Sequence, residues 1–225
     1  MYEILDRIPF KLEFDRIMKS LRLRKKNLLI EEMVSELIAD ANRVAHPKAA
    51  YRISAVENKD GDTLEIDSVK FTSHIMRINF NGLNRVFPYI ATCGQEVDAL
   101  KFPQEDVLKS FYMDIIRLNL LNQANVYLTG YIKNRYDLKQ TAHMNPGSLA
   151  DWPLSQQKSL FSLFPNIEKE IGVRLTDNNL MQPLKSISGI LFDTEVEYEN
   201  CQLCPREKCS FRRSPYESEL AKKYM

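Results

Sequence analysis

The order in which the hydrophobic period changes along the chain limits its fold more than any single motif. Residues 11–22 and 27–44 repeat at helical spacing. In the second stretch Ile30, Met33, Val34, Leu37, Ile38, Ala41 and Val44 share one face, and Pro47 closes it. The period then drops to two in AAYRISAVENKDGDTLEIDSVKF, on both sides of a turn at Asn58–Asp62, which predicts a hairpin-like strand pair. RVFPYIATC reads as a mostly buried strand, and Pro88 within it predicts an edge position or a bulge. The longest helix follows. Val107/Leu108, Phe111/Tyr112 and Ile115/Ile116 recur every four residues and the pattern runs on to about Ile132, with Glu105 or Asp106 to hold its start. Shorter helices are predicted at 74–80, 154–163, 166–171 and 216–224, a loop at 140–153, and a last strand at 186–192. Strands and helices do not alternate as βαβ units. The prediction is therefore α+β, an antiparallel twisted sheet flanked by helices.

The chain has 225 residues, 44% apolar and 27% charged, which is enough to bury a core without disulfide staples. A net charge of +1 gives no general electrostatic reason to bind nucleic acid or an anionic membrane. The basic run at Lys19–Lys26 reads as a solvated helix face. The N-terminus mixes acids and bases and has no apolar signal core, and no run approaches the ~18 apolar residues of a membrane span. These features predict a cytoplasmic protein with reduced thiols. One domain is expected over residues 1–225, with 200–225 as a cysteine-bearing tail.

Three of the four cysteines, Cys201, Cys204 and Cys209, form C-x₂-C-x₄-C in NCQLCPREKCSFRR. In a reducing compartment such spacing points to metal binding or redox chemistry rather than to structural bridges. A C-x₂-C pair can place two thiolates on one centre, and a third cysteine can close round it. A [4Fe–4S] cluster or tetrahedral zinc takes four ligands, and Cys93, at the end of a strand in IATCGQE, is the remaining candidate. Arg206, Lys208, Arg212 and Arg213 would offset the charge of a thiolate-rich centre. An iron–sulfur cluster, a zinc ion and three metal-free thiols are the three readings, the cluster being favoured.

The second informative stretch is HMNPGSLADWPLSQQKSLFSLF. Its Pro146-Gly147 step permits close backbone approach to a ligand, and Trp152 is placed to wall a flat pocket. Further on, Ser186-Ile187-Ser188-Gly189 is a strand of small residues that leaves room beside a ligand. A packed surface loop and a tight strand are the plain alternatives. No glycine-rich loop joins a strand to a helix in a βαβ unit, so an ordinary Rossmann-type methyltransferase ranks as a third, disfavoured reading.

In order along the chain, YIATCGQEVDAL, Pro146-Gly147, Trp152-Pro153, LFSLF, IGVRLT, Met181-x-Pro183 and SISGILF resemble the activation domain of cobalamin-dependent methionine synthase, over roughly residues 86–200. The likeness is nearest to freestanding relatives of that domain, with their Pro-Gly…Asp-Trp-Pro-Leu…Gln pattern. The resemblance implies an S-adenosylmethionine (SAM) binding protein that docks over a corrinoid held by a partner. That partner would be a corrinoid protein, or a methionine synthase lacking its own activation domain. The chain would support reductive methylation of Co(II) corrinoid in trans, as an accessory to a corrinoid-dependent methyltransferase and with an electron donor. It would supply no catalytic nucleophile of its own. It also implies ligand contacts at His143, which stands where the family often has an arginine, and at Asn145, Pro146, Gly147, Ser148 and Tyr198. The cysteine tail departs from the synthase domain. In this reading it carries an iron–sulfur centre that passes electrons near the cobalt. The alternative is a non-catalytic module whose zinc-stapled tail docks on the corrinoid protein.

Overall fold

The helical repeats at the start of the chain fold as predicted. A computed structural model describes residues 1–21, 27–195, 198–208, 212 and 214–224, without the side chains of Asn58 and Lys223. A short strand β1 (Glu3–Leu5) leads to α1 (Phe14–Ser20) and α2 (Leu28–Val44). Asn27 starts α2 by accepting hydrogen bonds from the Leu29 and Ile30 N–H groups at 3.1 and 3.4 Å, satisfying donors that have no partner within the helix. Four antiparallel strands follow, β2 (Lys48–Tyr51), β3 (Ser54–Asp60), β4 (Thr63–Ile66) and β5 (Val69–Thr72), with Gly61 at φ +53° in the β3–β4 turn. Then come α3 (His74–Asn79), β6 (Arg85–Thr92), α4 (Gln95–Asp98) and the 29-residue α5 (Val107–Arg135). The rest of the chain is β7 (Thr141–Met144), a 3₁₀ turn at Leu154–Gln156, α6 (Gln157–Ser162), α7 (Ile167–Ile171), the ribbon β8 (Arg174–Leu175) and β9 (Met181–Gln182), β10 (Ser186–Asp193), α8 (Asn200–Leu203) and α9 (Ser218–Lys223).

Every strand pairing is antiparallel, as the absence of βαβ units predicts. β6 is the hub. Along one side it pairs with β2 and then β3, and along the other with β10, which carries β7 in turn. The edge position expected from Pro88 is therefore wrong, because this strand is central. The Pro88 carbonyl faces the break between β2 and β3, where it accepts from the Arg52 N–H at 3.1 Å. In an antiparallel strand the absent donor would point the same way, towards Arg52, so the cost is confined to one bond just past the end of β2.

Alternation along β6 supplies two cores. Phe87, Tyr89 and Ala91 face α1, α2 and α5, while Val86 and Ile90 face α3, α6 and α7. Each large apolar side chain fully buried this way contributes about 1.5–3 kcal/mol. α5 lays Tyr112, Met113, Ile116, Leu120, Ala124, Leu128 and Ile132 on the sheet, whereas Val107, Leu108 and Phe111 in its first turns stay exposed. Among the described residues no helix is long and apolar enough to cross a membrane.

Candidate functional site

The site begins where β7 stops. Its last residue, Met144, pairs with Ile190 of β10, and the chain then leaves the sheet through Asn145–Ser148. The Ser148 N–H donates to the Asn145 carbonyl at 3.1 Å, with Pro146 second and Gly147 third at φ +78°. That is the residue order of a type II turn, whose third position needs positive φ. The Gly147 N–H donates to the Trp152 carbonyl at 2.7 Å and closes the loop. Asp151 ties the loop to the start of α3, accepting from the His74 and Ile75 N–H groups, both at 3.1 Å, and from the Ser73 hydroxyl.

With β7 gone, residues 186–189 of β10 keep β6 on one side and have no strand on the other. Asn145 covers part of this bare edge. Its Nδ2 donates to the Ser188 carbonyl and to the Tyr89 hydroxyl, each at 2.9 Å. Gly189 permits the crossing, because a Cβ there would stand 2.4 Å from the Met144 carbonyl oxygen and 2.5 Å from Asn145 Nδ2.

A cavity of about 730 Å³ opens along the bare edge, within the size range of small-molecule sites. The Pro146–Gly147 turn, Leu154 and Gln157 line it, with Asn179, Leu180, Met181 and Leu184 from the β8–β9 ribbon and the segment that follows it. Ser186, Ile187 and Ser188 come from the strand, Asn122 from α5, and Asn200, Cys201, Cys204 and Arg206 from the tail. Three polar atoms in this lining, Gln157 Nε2, Asn179 Oδ1 and Ser188 Oγ, are buried without a hydrogen-bond partner among the described residues. Gln157 and Ser188 are each only 2% exposed. Buried polar groups are normally paired, so three unpaired ones along one cavity set this lining apart from an ordinary packed surface.

Residues 122–212 match the family model for the vitamin B12 dependent methionine synthase, activation domain. A solved structure of the MetH reactivation domain bound to AdoHcy aligns over 88% of this chain and 80% of that one, with a TM-score of 0.62 at 15% identity. The fold is that of a methionine synthase activation domain. No curated protein matches the chain. The matched stretch contains every residue of the cavity lining, from Asn122 to Arg206.

Of the ligand contacts expected in this activation-domain fold, Asn145, Pro146, Gly147 and Ser148 line the cavity. His143 and Tyr198 are placed elsewhere. His143 points towards α5, with Nδ1 3.2 Å from the Tyr89 hydroxyl and Nε2 3.3 Å from Thr129 Oγ1. Its link to the cavity is indirect, through the hydroxyl that also receives Asn145. Tyr198 is buried against Phe192 and Tyr224, and its hydroxyl donates to Asn200 Oδ1 at 3.0 Å, behind a residue of the lining. Trp152 is not a pocket wall. It lies beneath the loop at 1% exposure, edge-to-face with Phe71 at 6.2 Å, because the loop folds back over its own aromatic residue.

The cysteines divide. Cys201 and Cys204 line the cavity, and Cys209 lies outside the described residues. Cys93 sits in the core on the α5 face of the sheet, where burial pushes its thiol up to about 12. Among the described residues there is no group of three or more His, Cys, Asp or Glu that could hold a metal ion. Arg212 ties the tail turn, its guanidinium donating to the carbonyls of Cys201 at 2.9 Å, Cys204 at 3.2 Å and Ser214 at 3.3 Å, and to that of Arg206. Sequence reading missed Gln157, Asn179, Asn200 and Arg206 as lining residues. Only Gln157 had a local signal, as the glutamine that follows Trp-Pro-Leu.

Proposed function

We propose that the chain binds SAM in this cavity and presents its methyl group to the cobalt of a corrinoid carried by another domain or protein. The observation that carries the reading is the set of unpaired buried groups, Gln157 Nε2, Asn179 Oδ1 and Ser188 Oγ, beside the Pro146–Gly147 turn. The AdoHcy bound to the MetH reactivation domain supports the choice of ligand. In this reading a corrinoid that has fallen to Co(II) takes one electron from a low-potential donor and becomes Co(I). Co(I) then attacks the methyl carbon, the carbon–sulfonium bond breaks, and AdoHcy leaves with the bonding pair. The protein's residues position rather than react. Ser188 and Gln157 would hold polar edges of the nucleoside, the turn backbone approaches where Gly147 leaves space, and Leu154, Met181 and Ile187 exclude water from the sulfur. Holding the methyl group aligned turns an encounter into a transfer.

The cysteine pair extends the proposal. Cys201 and Cys204 would give two thiolates to an iron–sulfur centre, with Cys209 as a third, and such a centre supplies one-electron chemistry. The described residues hold only part of a four-ligand set. A zinc staple is the less favoured alternative, since Arg212 already ties the turn together. Calorimetric titration of the full chain with AdoHcy tests the main reading. Saturable binding that Gly147→Val weakens is expected, and no binding by the wild-type chain would overturn it.

A further inference from the structure

We infer that Arg206, on the cysteine tail, grips the amino-acid carboxylate of the ligand held in the cavity. The inference rests on the SAM reading above and assigns the part of that site which recognises the anionic end. Arg206 is the only charged residue in the described lining. It is exposed, and its side chain makes no ion pair with another described residue. Its backbone is nonetheless tied, because its carbonyl accepts from Arg212 in the turn that also fixes the Cys201 and Cys204 carbonyls. A fixed backbone with an unengaged planar fork suits a bidentate carboxylate partner.

The remaining lining sharpens the assignment. Its other polar residues are amides, hydroxyls and thiols, which can read a nucleoside or a neutral edge but leave a carboxylate uncompensated. His143, which stands where the resemblance places a basic contact, is engaged with Tyr89 and Thr129 and does not line the cavity. In this assignment the anionic end of the ligand is held from the tail. The same loop that carries the cysteine pattern then completes the ligand site.

The test compares two ligands by calorimetry on the full chain at low ionic strength. AdoHcy carries the carboxylate, whereas 5′-methylthioadenosine keeps the nucleoside and sulfur and lacks the amino acid. Arg206→Gln is expected to weaken AdoHcy about 10-fold or more, as for loss of a charge-assisted hydrogen bond, and to leave methylthioadenosine within about twofold. Equal losses for both ligands, or no loss for AdoHcy, would overturn the assignment while leaving the SAM reading intact. A wild-type chain that binds neither compound overturns both. A wild-type chain that binds methylthioadenosine as tightly as AdoHcy overturns the carboxylate subsite alone.

Discussion

Arg212 donates from Nη1 to the carbonyl of Cys201, 2.9 Å away and eleven positions back in the chain. With its bonds to Cys204, Arg206 and Ser214, one side chain ties together the segment between α8 and α9. Arg212→Ala should therefore loosen the wall that carries both thiols. Charge-assisted hydrogen bonds of this kind contribute about 1.5–3 kcal/mol, so transient opening of the tail should become about 10-fold more frequent. Alkylation of Cys201 and Cys204 by iodoacetamide, followed by mass spectrometry, should speed up accordingly. Cys93, buried and with its thiol pushed up to about 12, should stay unmodified. Unchanged rates at Cys201 and Cys204 would mean that the tail is held by something else.

Ser188 offers a test in which stability and binding move apart. Its hydroxyl is buried and unpaired among the described residues, so Ser188→Ala should leave the ligand-free chain as stable as before, or more stable by up to about 1 kcal/mol. If that hydroxyl meets the ligand, AdoHcy affinity should fall about fivefold. Melting temperatures with and without AdoHcy read both effects. A parallel loss of stability and affinity would point to packing instead.

The two glycines of the site should respond differently. At Gly189 an added methyl group meets the Met144 carbonyl at 2.4 Å, a clash with backbone that cannot swing aside. Gly189→Ala should cost about 1–3 kcal/mol and separate β7 from β10. At Gly147 the nearest atoms are Leu154 Cβ and Cδ1 at 3.3 Å, so the main penalty is the positive φ of +78°. Gly147→Ala should cost about 1 kcal/mol and act chiefly on ligand affinity. Denaturant midpoints of the two variants should rank in that order.

Glu3 makes acid stability a readout of the sheet's far edge. It accepts from the Tyr51 hydroxyl at 2.8 Å and the Tyr131 hydroxyl at 2.5 Å, and faces Arg135 at 3.5 Å. Burial alone would raise its carboxyl, but the two hydroxyls and the guanidinium outweigh burial and hold it below the usual carboxylate range. A lowered folded pKa contributes stability that is present above the unfolded pKa and disappears as pH falls through the folded one. The stability difference between wild type and Glu3→Gln should be largest near about pH 7 and vanish towards about pH 2–3. A difference that is flat with pH would show that the carboxylate's charge does not matter.

The parts of this fold legible in the sequence are those decided locally. α2 shows its buried face as Val34, Leu37, Ile38 and Ala41, and the β3–β4 hairpin shows its turn at Gly61. The Asn145–Ser148 turn was legible for the same reason, since Pro and Gly fix backbone angles themselves. β7 was not legible. Thr141-Ala142-His143-Met144 has no strand pattern of its own, and pairing with β10 makes it a strand. Pro88 misled because its cost depends on which neighbour faces it, and the neighbour ends there. The C-x₂-C pair was plain in the sequence, but its place beside the Pro-Gly turn came from the path of the tail. Arg206 stood out only as a charge beside the cysteines; its place in the lining was not legible, because only tertiary folding brings it to residues 60 positions earlier.

The cysteine assignments lead to a last expectation. If Cys201, Cys204 and Cys209 hold an iron–sulfur centre, protein purified anaerobically should contain iron and acid-labile sulfide and should bleach in the visible on dithionite addition. Cys201→Ser or Cys204→Ser should remove the metal. Cys93→Ser should retain it, because Cys93 packs in the α5-side core and does not line the cavity where the other two meet. Burial also disfavours the thiolate that a metal needs. Loss of iron from Cys93→Ser would bring that residue into the centre and require the tail to reach it. Stoichiometric zinc without iron would replace electron transfer with a staple. A metal-free wild-type protein would leave the Arg212 clamp to hold the tail by itself, and the electron for Co(II) would then have to come from the partner side.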